Sequence, residues 1–273
     1  RNIHEAGVSQ ETMKAVCDRI ADPKEVAKSK QLPFRFTMAY MIAKELKDSK
    51  LIRAVSRAMD ASVANLPSIG DNIWIIFDSS GSMRGAGRNP RSKHTGWSHN
   101  NAEYTGSALD NACLFAAVLA KASAESMNCK VTHFATRAEM LGFNPDDSVM
   151  SIFESFKGND AGYSTNLDQA LRLKSQLGFE PDAVFVISDM QVNMMNGSRI
   201  IKDFKNTPSK FALNLGNYEA TPVGEMDGWY QLSGWSAALF DFIPAMKEKI
   251  TVTKALTAPY IGVDKIKSKH KLG

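Results

Sequence analysis

Cysteine is scarce. Cys17, Cys113 and Cys129 are the only three in 273 residues, odd in number and without close-paired spacing. That excludes a disulfide framework or a cysteine-rich zinc site and points to a reduced, cytoplasmic compartment. Apolar runs are short: none approaches the ~18 residues of a membrane span, no secretory signal is visible, and no membrane partner is expected. One-sided charge is also missing. A net charge of +4 permits a nucleic-acid partner without demanding one, so local clustering must decide. No Gly-x-x-x-x-Gly-Lys-Ser/Thr loop is present, since Arg84-Gly85-Ala86-Gly87 has too few glycines at the wrong spacing. Ser80 lacks a Gly-x-Ser-x-Gly elbow, and no nucleophile with a general base stands out. The residues favour binding over catalysis, and the one catalytic class left open is a hydrolase that needs only metal and water.

What is present is a globular composition, 44% hydrophobic and 23% charged, long enough for one large domain or two ordinary ones. The chain opens on Arg1 in a helical pattern and is expected to be a piece of something longer. Its centre is the stretch 72–82, Asn-Ile-Trp-Ile-Ile-Phe-Asp-Ser-Ser-Gly-Ser. The run Ile73 to Phe77, bounded by Gly70 and Gly81, predicts a strand buried on both faces of a parallel sheet. Asp78, Ser80 and Ser82 then alternate, so that one carboxylate and two hydroxyls can face one point. Such a set suits a hard divalent cation, Mg²⁺ or another. Thr165, in the loop Gly162-Tyr163-Ser164-Thr165-Asn166, and Asp189, ending the apolar run from Ala183, are the remaining ligand candidates. Loops at the carboxyl ends of strands in an open α/β sheet converge on one crevice. Taken singly, the first motif also reads as a polar turn, Thr165 as a helix N-cap and Asp189 as a turn residue.

Together, Asp78-x-Ser80-x-Ser82, Thr165 and Asp189 resemble the metal-ion-dependent adhesion site (MIDAS) of von Willebrand factor A domains. The resemblance covers residues 70 to about 250. It implies a Rossmann-like, mostly parallel sheet flanked by helices, with a metal that captures a carboxylate from a protein partner. Asp189-Met190-Gln191 stands where many members of that family have Asp-Gly, a loss of glycine expected to alter the turn.

Residues 1–66 read as short helices in series, with Ser9 and Asp22-Pro23 as helix starts and Pro33 as a break. The stripes Phe34, Met38, Met41, Ile42 and Leu51, Ile52, Val55, Met59 are expected in the core. Serial short helices suit a helical-repeat array. Asn2 to Ser9, Cys17-Asp18-Arg19-Ile20 and Leu32-Pro33-Phe34-Arg35-Phe36 resemble the last helices of the TROVE domain of Ro ribonucleoproteins, which a von Willebrand A domain follows. The implied division is 1–66, the end of a TROVE-like array, and 67–273, the A-like domain. The implied partners are small non-coding (Y-like) or misfolded RNA. Only a fraction of the family's helical ring is present.

Between residues 83 and 105, Arg84, Arg88, Arg91 and Lys93 with Trp97 meet no acid until Glu103, a basic loop that is either an RNA contact or simply solvated. His94 and His99 lie in the same loop without a matching ligand cluster. The tail carries Lys265, Lys267, Lys269 and Lys271, another phosphate-contact candidate or a solvated end. A helix is expected over Ser107 to Met127 with Cys113 as a buried thiol. A hairpin edge is expected about Thr136-Arg137, with His133 structural. Asp146 and Asp147 are expected to cap the helix from Val149. Asp160 either backs the metal loop or is a solvated loop residue. Strands are expected over Lys210 to Leu215 and Trp229 to Leu232, then a helix carrying Leu239, Phe242, Ile243 and Met246.

Overall fold

The computed structural model describes residues 6–67, 70–85, 107–123, 128–192, 204, 206–216 and 228–233. The expected helix after residue 236, the lysine tail and most of the basic loop lie outside them.

Among the described residues four helices come first: α1 (Gln10–Ile20), α2 (Pro23–Ser29), α3 (Phe34–Glu45) and α4 (Ser49–Ser62). Each start but one has a side-chain cap of the expected kind. Ser9 accepts from the Thr12 amide, Asp22 from Lys24, and Asp48 from Lys50 and Leu51. Along α4, Ala54, Val55, Ala58, Met59 and Ser62 are buried, a stripe at helical spacing. On α3 only Phe34 and Ala43 are buried; Met38, Met41 and Ile42 are half-buried, so that stripe is core only at its first residue.

Among the described residues the sheet has six strands in the order β3-β2-β1-β4-β5-β6. They are β1 (Asn72–Asp78), β2 (Asn128–Phe134), β3 (Ala138–Leu141), β4 (Ala183–Ser188), β5 (Ser209–Asn214) and β6 (Tyr230–Ser233). All neighbours are parallel except β2 and β3, which pair antiparallel across the hairpin expected at Thr136-Arg137. The chain runs outward from β1 to β2 and β3, then returns to lay β4 on the other side of β1. The strand order therefore reverses between β1 and β4, where ligands bind in open α/β sheets.

Strand alternation sends β1 to two cores. Ile73, Ile75 and Phe77 join one cluster; Trp74 and Ile76 join the other. The first contains α6 (Ala108–Ala122), α7 (Val149–Lys157) and also Phe34 and Met59 from the helical segment. Phe34 stacks on Phe115 of α6 at 6.0 Å between centroids, and Lys44 pairs with Glu154 of α7 at 2.9 Å. The helices of residues 10–62 therefore share one core with the sheet. The second face carries α8 (Leu167–Arg172), with Leu167, Ala170 and Leu171 buried.

Two helix boundaries also differ from expectation. The helix after Ser107 stops at Ala122, not Met127; Ser107 and Asp110 form its capping box and Ser123 caps its end. The cap of α7 is Ser148, not Asp146 or Asp147. Ser148 Oγ accepts from the Ser151 amide at 3.1 Å, whereas the two aspartates belong to a preceding turn that Asn144 organises. Asp60, at the end of α4, adds a second acceptor by taking the Val149 amide at 2.8 Å.

Candidate metal centre

Asp78 is the last residue of β1 and Asp189 follows the last residue of β4. Because Phe77 pairs with Ile187 in parallel register, Asp78 comes to lie beside Ser188. Ser188 Oγ donates to Asp78 Oδ2 at 2.7 Å and itself accepts the Met190 amide at 3.0 Å. The other oxygen, Asp78 Oδ1, accepts the Ser80 amide at 2.8 Å. That bond folds the Asp-x-Ser-x-Ser stretch back on itself, bringing Ser80 and Ser82 hydroxyls to 3.1 Å of each other. α5 (Gly81–Gly85) follows directly.

Asp78, Ser80 and Asp189 are fully buried. Burial raises the Asp78 carboxyl from 3.8 to about 6, against hydrogen bonds from Ser80 and Ser188 that lower it, and the nearby Asp189 charge raises it further. Asp189 Oδ1 accepts the Gln191 amide at 3.1 Å, while Asp189 Oδ2 is buried without a hydrogen-bond partner. A buried carboxylate oxygen without a donor costs about 1–3 kcal/mol or more, and a second carboxylate beside it adds to that cost. This orphaned oxygen, the second acid and two adjacent hydroxyls fit a divalent cation. Among the described residues no three His, Cys, Asp or Glu side chains gather as a metal group. The present set has only two carboxylates and completes itself with hydroxyls.

Thr165 lies in the loop before α8. That loop is joined to the motif by the Gly81 amide, which donates to the Tyr163 carbonyl at 3.1 Å. Thr136 Oγ1 accepts the amides of Tyr163 and Ser164, both at 3.1 Å, and fixes the loop from the hairpin. Gly162 is required for that approach: it has φ +99°, and a Cβ there would sit 2.5 Å from Thr136 Oγ1. Thr165 is not the helix cap; Asn166 occupies that position, which leaves the Thr165 hydroxyl outside capping. The turn after Asp189 is also kept without glycine. Met190 takes a left-handed φ of 64°, at a cost of about 1–2 kcal/mol for a non-glycine residue.

Arg84 stands at the rim. Its guanidinium donates to the Ser79 carbonyl and pairs with Asp160, both at 3.4 Å, and Asp160 also accepts the Gly162 amide at 2.9 Å. Asp160 thus braces the Thr165 loop. Arg88, Arg91, Lys93 and Trp97 lie outside the described residues. Sequence reasoning missed Ser188, Tyr163 and Thr136. Tyr163 is 79% exposed at the mouth of the site, over Gly81. The signal for Ser188 was its place beside Asp189, legible only once β1 and β4 are neighbours. His133 is structural as expected: buried, with Nδ1 3.3 Å from Ser79 Oγ.

The TROVE domain family model matches residues 1–141, running past the four helices into β1, β2 and β3. No curated protein matches the chain in sequence. The crystal structure of the Ro (RSR) protein of Deinococcus radiodurans superposes with a TM-score of 0.64 at 15% identity over 88% of this chain and 49% of that one. This chain thus spans about half the length of that protein. An aerotolerance-related membrane protein of Bacteroides fragilis gives 0.42 at 14% identity, covering 66% of this chain and 98% of its own. The proximal thread matrix protein 1 of the mussel byssus gives 0.40 at 14% identity, covering 73% and 51%. The six-stranded, mostly parallel sheet flanked by helices is of the von Willebrand A type.

Proposed function

This chain belongs to the TROVE-domain family, and from that premise we propose that it is an RNA-binding component of a Ro-type ribonucleoprotein that also carries a divalent-metal site. Residues 1–66 are the end of the TROVE array and 67–273 the A-like domain, working in the cytoplasm on small non-coding (Y-like) or misfolded RNA. Asp78, Ser80, Ser82, Thr165 and Asp189 hold Mg²⁺ or another divalent cation. When bound, the ion supplies an electrophilic position for an incoming anion, a partner carboxylate or a phosphate oxygen. The protein's own part is to exclude water from the two acids, to present neutral hydroxyls that leave the ion's charge largely uncancelled, and to frame the mouth with Arg84 and Tyr163. The role is capture, not catalysis. The observation that carries the metal site is the buried Asp189 Oδ2 without a donor beside Asp78.

The test is titration of structured small RNA over a salt series with Mg²⁺ and with EDTA, alongside an Arg84/Arg88/Arg91/Lys93→Ala variant. Salt-sensitive binding that the variant loses supports the reading and locates the contact in the basic loop. Absence of RNA binding at low salt removes it. The second reading, a metal-dependent protein-binding module without RNA, is favoured by Tyr163, an exposed aromatic at the mouth suited to a protein surface. Capture of an acidic peptide that EDTA and Asp78→Ala both abolish, with no RNA binding, selects it.

A further inference from the structure

The guanidinium of Arg84 lies between two ligand segments of the metal centre. Its Nε donates to the carbonyl of Ser79, the residue between Asp78 and Ser80, and its Nη2 pairs with Asp160 in the loop that carries Thr165. Both contacts are 3.4 Å long. A charge-assisted N–H···O bond settles at about 2.7–2.9 Å, so neither hold is tight. The two side chains are 41% and 71% exposed, and water competes for both. Asp160 has firmer holds of its own: Oδ1 accepts the Gly162 amide at 2.9 Å, and its carbonyl accepts from Arg137 Nη2 at 3.1 Å. Thr136 and Gly81 secure the same loop from either side. The loop therefore keeps its place without Arg84, and the guanidinium is free to change partner.

Charge balance gives it a reason to do so. Asp78 and Asp189 together match the charge of a divalent ion. An anion on the ion's open position then leaves one negative charge in excess beside two fully buried acids. Arg84 offsets that charge once it gives up Asp160. The exchange replaces one carboxylate by another, and a carboxylate can place one oxygen on the ion and the other on a guanidinium N–H. Tyr163, the one large hydrophobic side chain exposed among the described residues, stands at the same mouth and suits a protein surface.

We propose that Arg84 is an exchangeable guanidinium that leaves Asp160 to take the second oxygen of a carboxylate bound at the metal, so that an acidic side chain of a protein partner is held at two points. Asp160 is then the internal competitor for that partner. This rests on the metal centre of the function proposed above; the exchange itself rests on the contacts of Arg84 and Asp160.

The experiment is fluorescence anisotropy of the whole chain, loaded with Mn²⁺, with a BODIPY-labelled, amidated hexapeptide carrying one aspartate. Calorimetry of Mn²⁺ alone accompanies it, and a thermal melt verifies that each variant folds. Arg84→Ala is compared with Arg172→Ala, an equal charge change at an exposed position of α8. The expected result is a loss of about tenfold or more in peptide affinity for Arg84→Ala alone, the size of one hydrogen bond to a charged group, with Mn²⁺ affinity not lowered. Asp160→Asn keeps an acceptor for the Gly162 amide. It should tighten peptide binding severalfold, and have no effect where Arg84 is already alanine. Simple repulsion by Asp160 would instead tighten binding in both backgrounds, and that result overturns the exchange. Equal losses in the Arg84 and Arg172 variants, peptide affinity unchanged by Arg84→Ala, lowered Mn²⁺ affinity in that variant, or no peptide bound by the Mn²⁺-loaded wild type also overturn it and leave the metal centre standing. No Mn²⁺ bound by wild type overturns both. Dimethyl phosphate competing as well as acetate overturns the assignment to a carboxylate.

Discussion

Two halves of one strand show what burial does to opposite chemistries. In β1, Trp74 and Ile76 are fully buried among apolar side chains, with Trp74 Nε1 donating to Thr132 at 2.9 Å. Asp78, two residues on and equally buried, faces a second acid instead. The middle of the sheet gains from losing water. Its carboxyl edge is penalised for the same loss, so that edge holds together only through backbone amides, Ser188 and, in the proposed function, a cation. Where the strand ends, burial costs stability instead of supplying it.

The contrast is broken most severely from the apolar side. Phe185 of β4 stacks on Phe211 at 4.7 Å and touches Phe115, so Phe185→Ala should lose about 3–5 kcal/mol, read as an early urea midpoint. A loss under about 1 kcal/mol would mean the sheet's centre is not tightly packed. Next comes Gly162→Ala. The added methyl meets Thr136 in a backbone that disfavours it, and we expect destabilisation of about 1–3 kcal/mol with weakened metal binding. Wild-type metal affinity in that variant would show that the Thr165 loop takes no part.

Asp189→Asn tests the polar edge with the opposite sign. It should abolish Mn²⁺ or Mg²⁺ binding by calorimetry while raising the melting temperature in EDTA, by roughly 1 kcal/mol equivalent, because a buried uncompensated charge is gone. A lower melting temperature with intact metal binding would remove Asp189 from the site. Acidity gives a smaller effect. The Asp78 carboxyl is raised in the fold to about 6 from 3.8, so in EDTA its stability contribution is fully present below about pH 3.8 and lost as pH rises through about 6. The gain in melting temperature from added Mg²⁺ should therefore be larger at pH 7 than at pH 5; an equal gain at both would separate Asp78 from the ion. Smallest of all, Lys44→Ala should cost under about 0.5 kcal/mol, because the pair with Glu154 is half-exposed on both sides.

Much of this was legible in the residues. The runs Ile73–Phe77 and Ala183–Ser188 are strands because they are short, apolar and β-branched, and Ser9, Asp22 and Ser107 start helices through their own side chains. Asp146 and Asp147 misled for a physical reason. Aspartate is as good a cap as serine, and only the turn at Asn144 decides that Ser148 stands at the helix start. Ser188 was hidden because its partner is 110 residues away.

By itself, the sequence determined which residue types stand at the strand ends, two carboxylates among hydroxyls, and where the helices capped by Ser9, Asp22 and Ser107 begin. Capping, periodicity and ligand chemistry act over a few residues, so they can be read in order along the chain. Only the tertiary structure decided that β4 lies beside β1, and hence that Asp78 meets Ser188 and Asp189. The same holds for Asp60 receiving an amide of α7 and for Arg84 meeting Asp160. Those outcomes depend on which surfaces find one another, and a sum of local preferences does not contain that information.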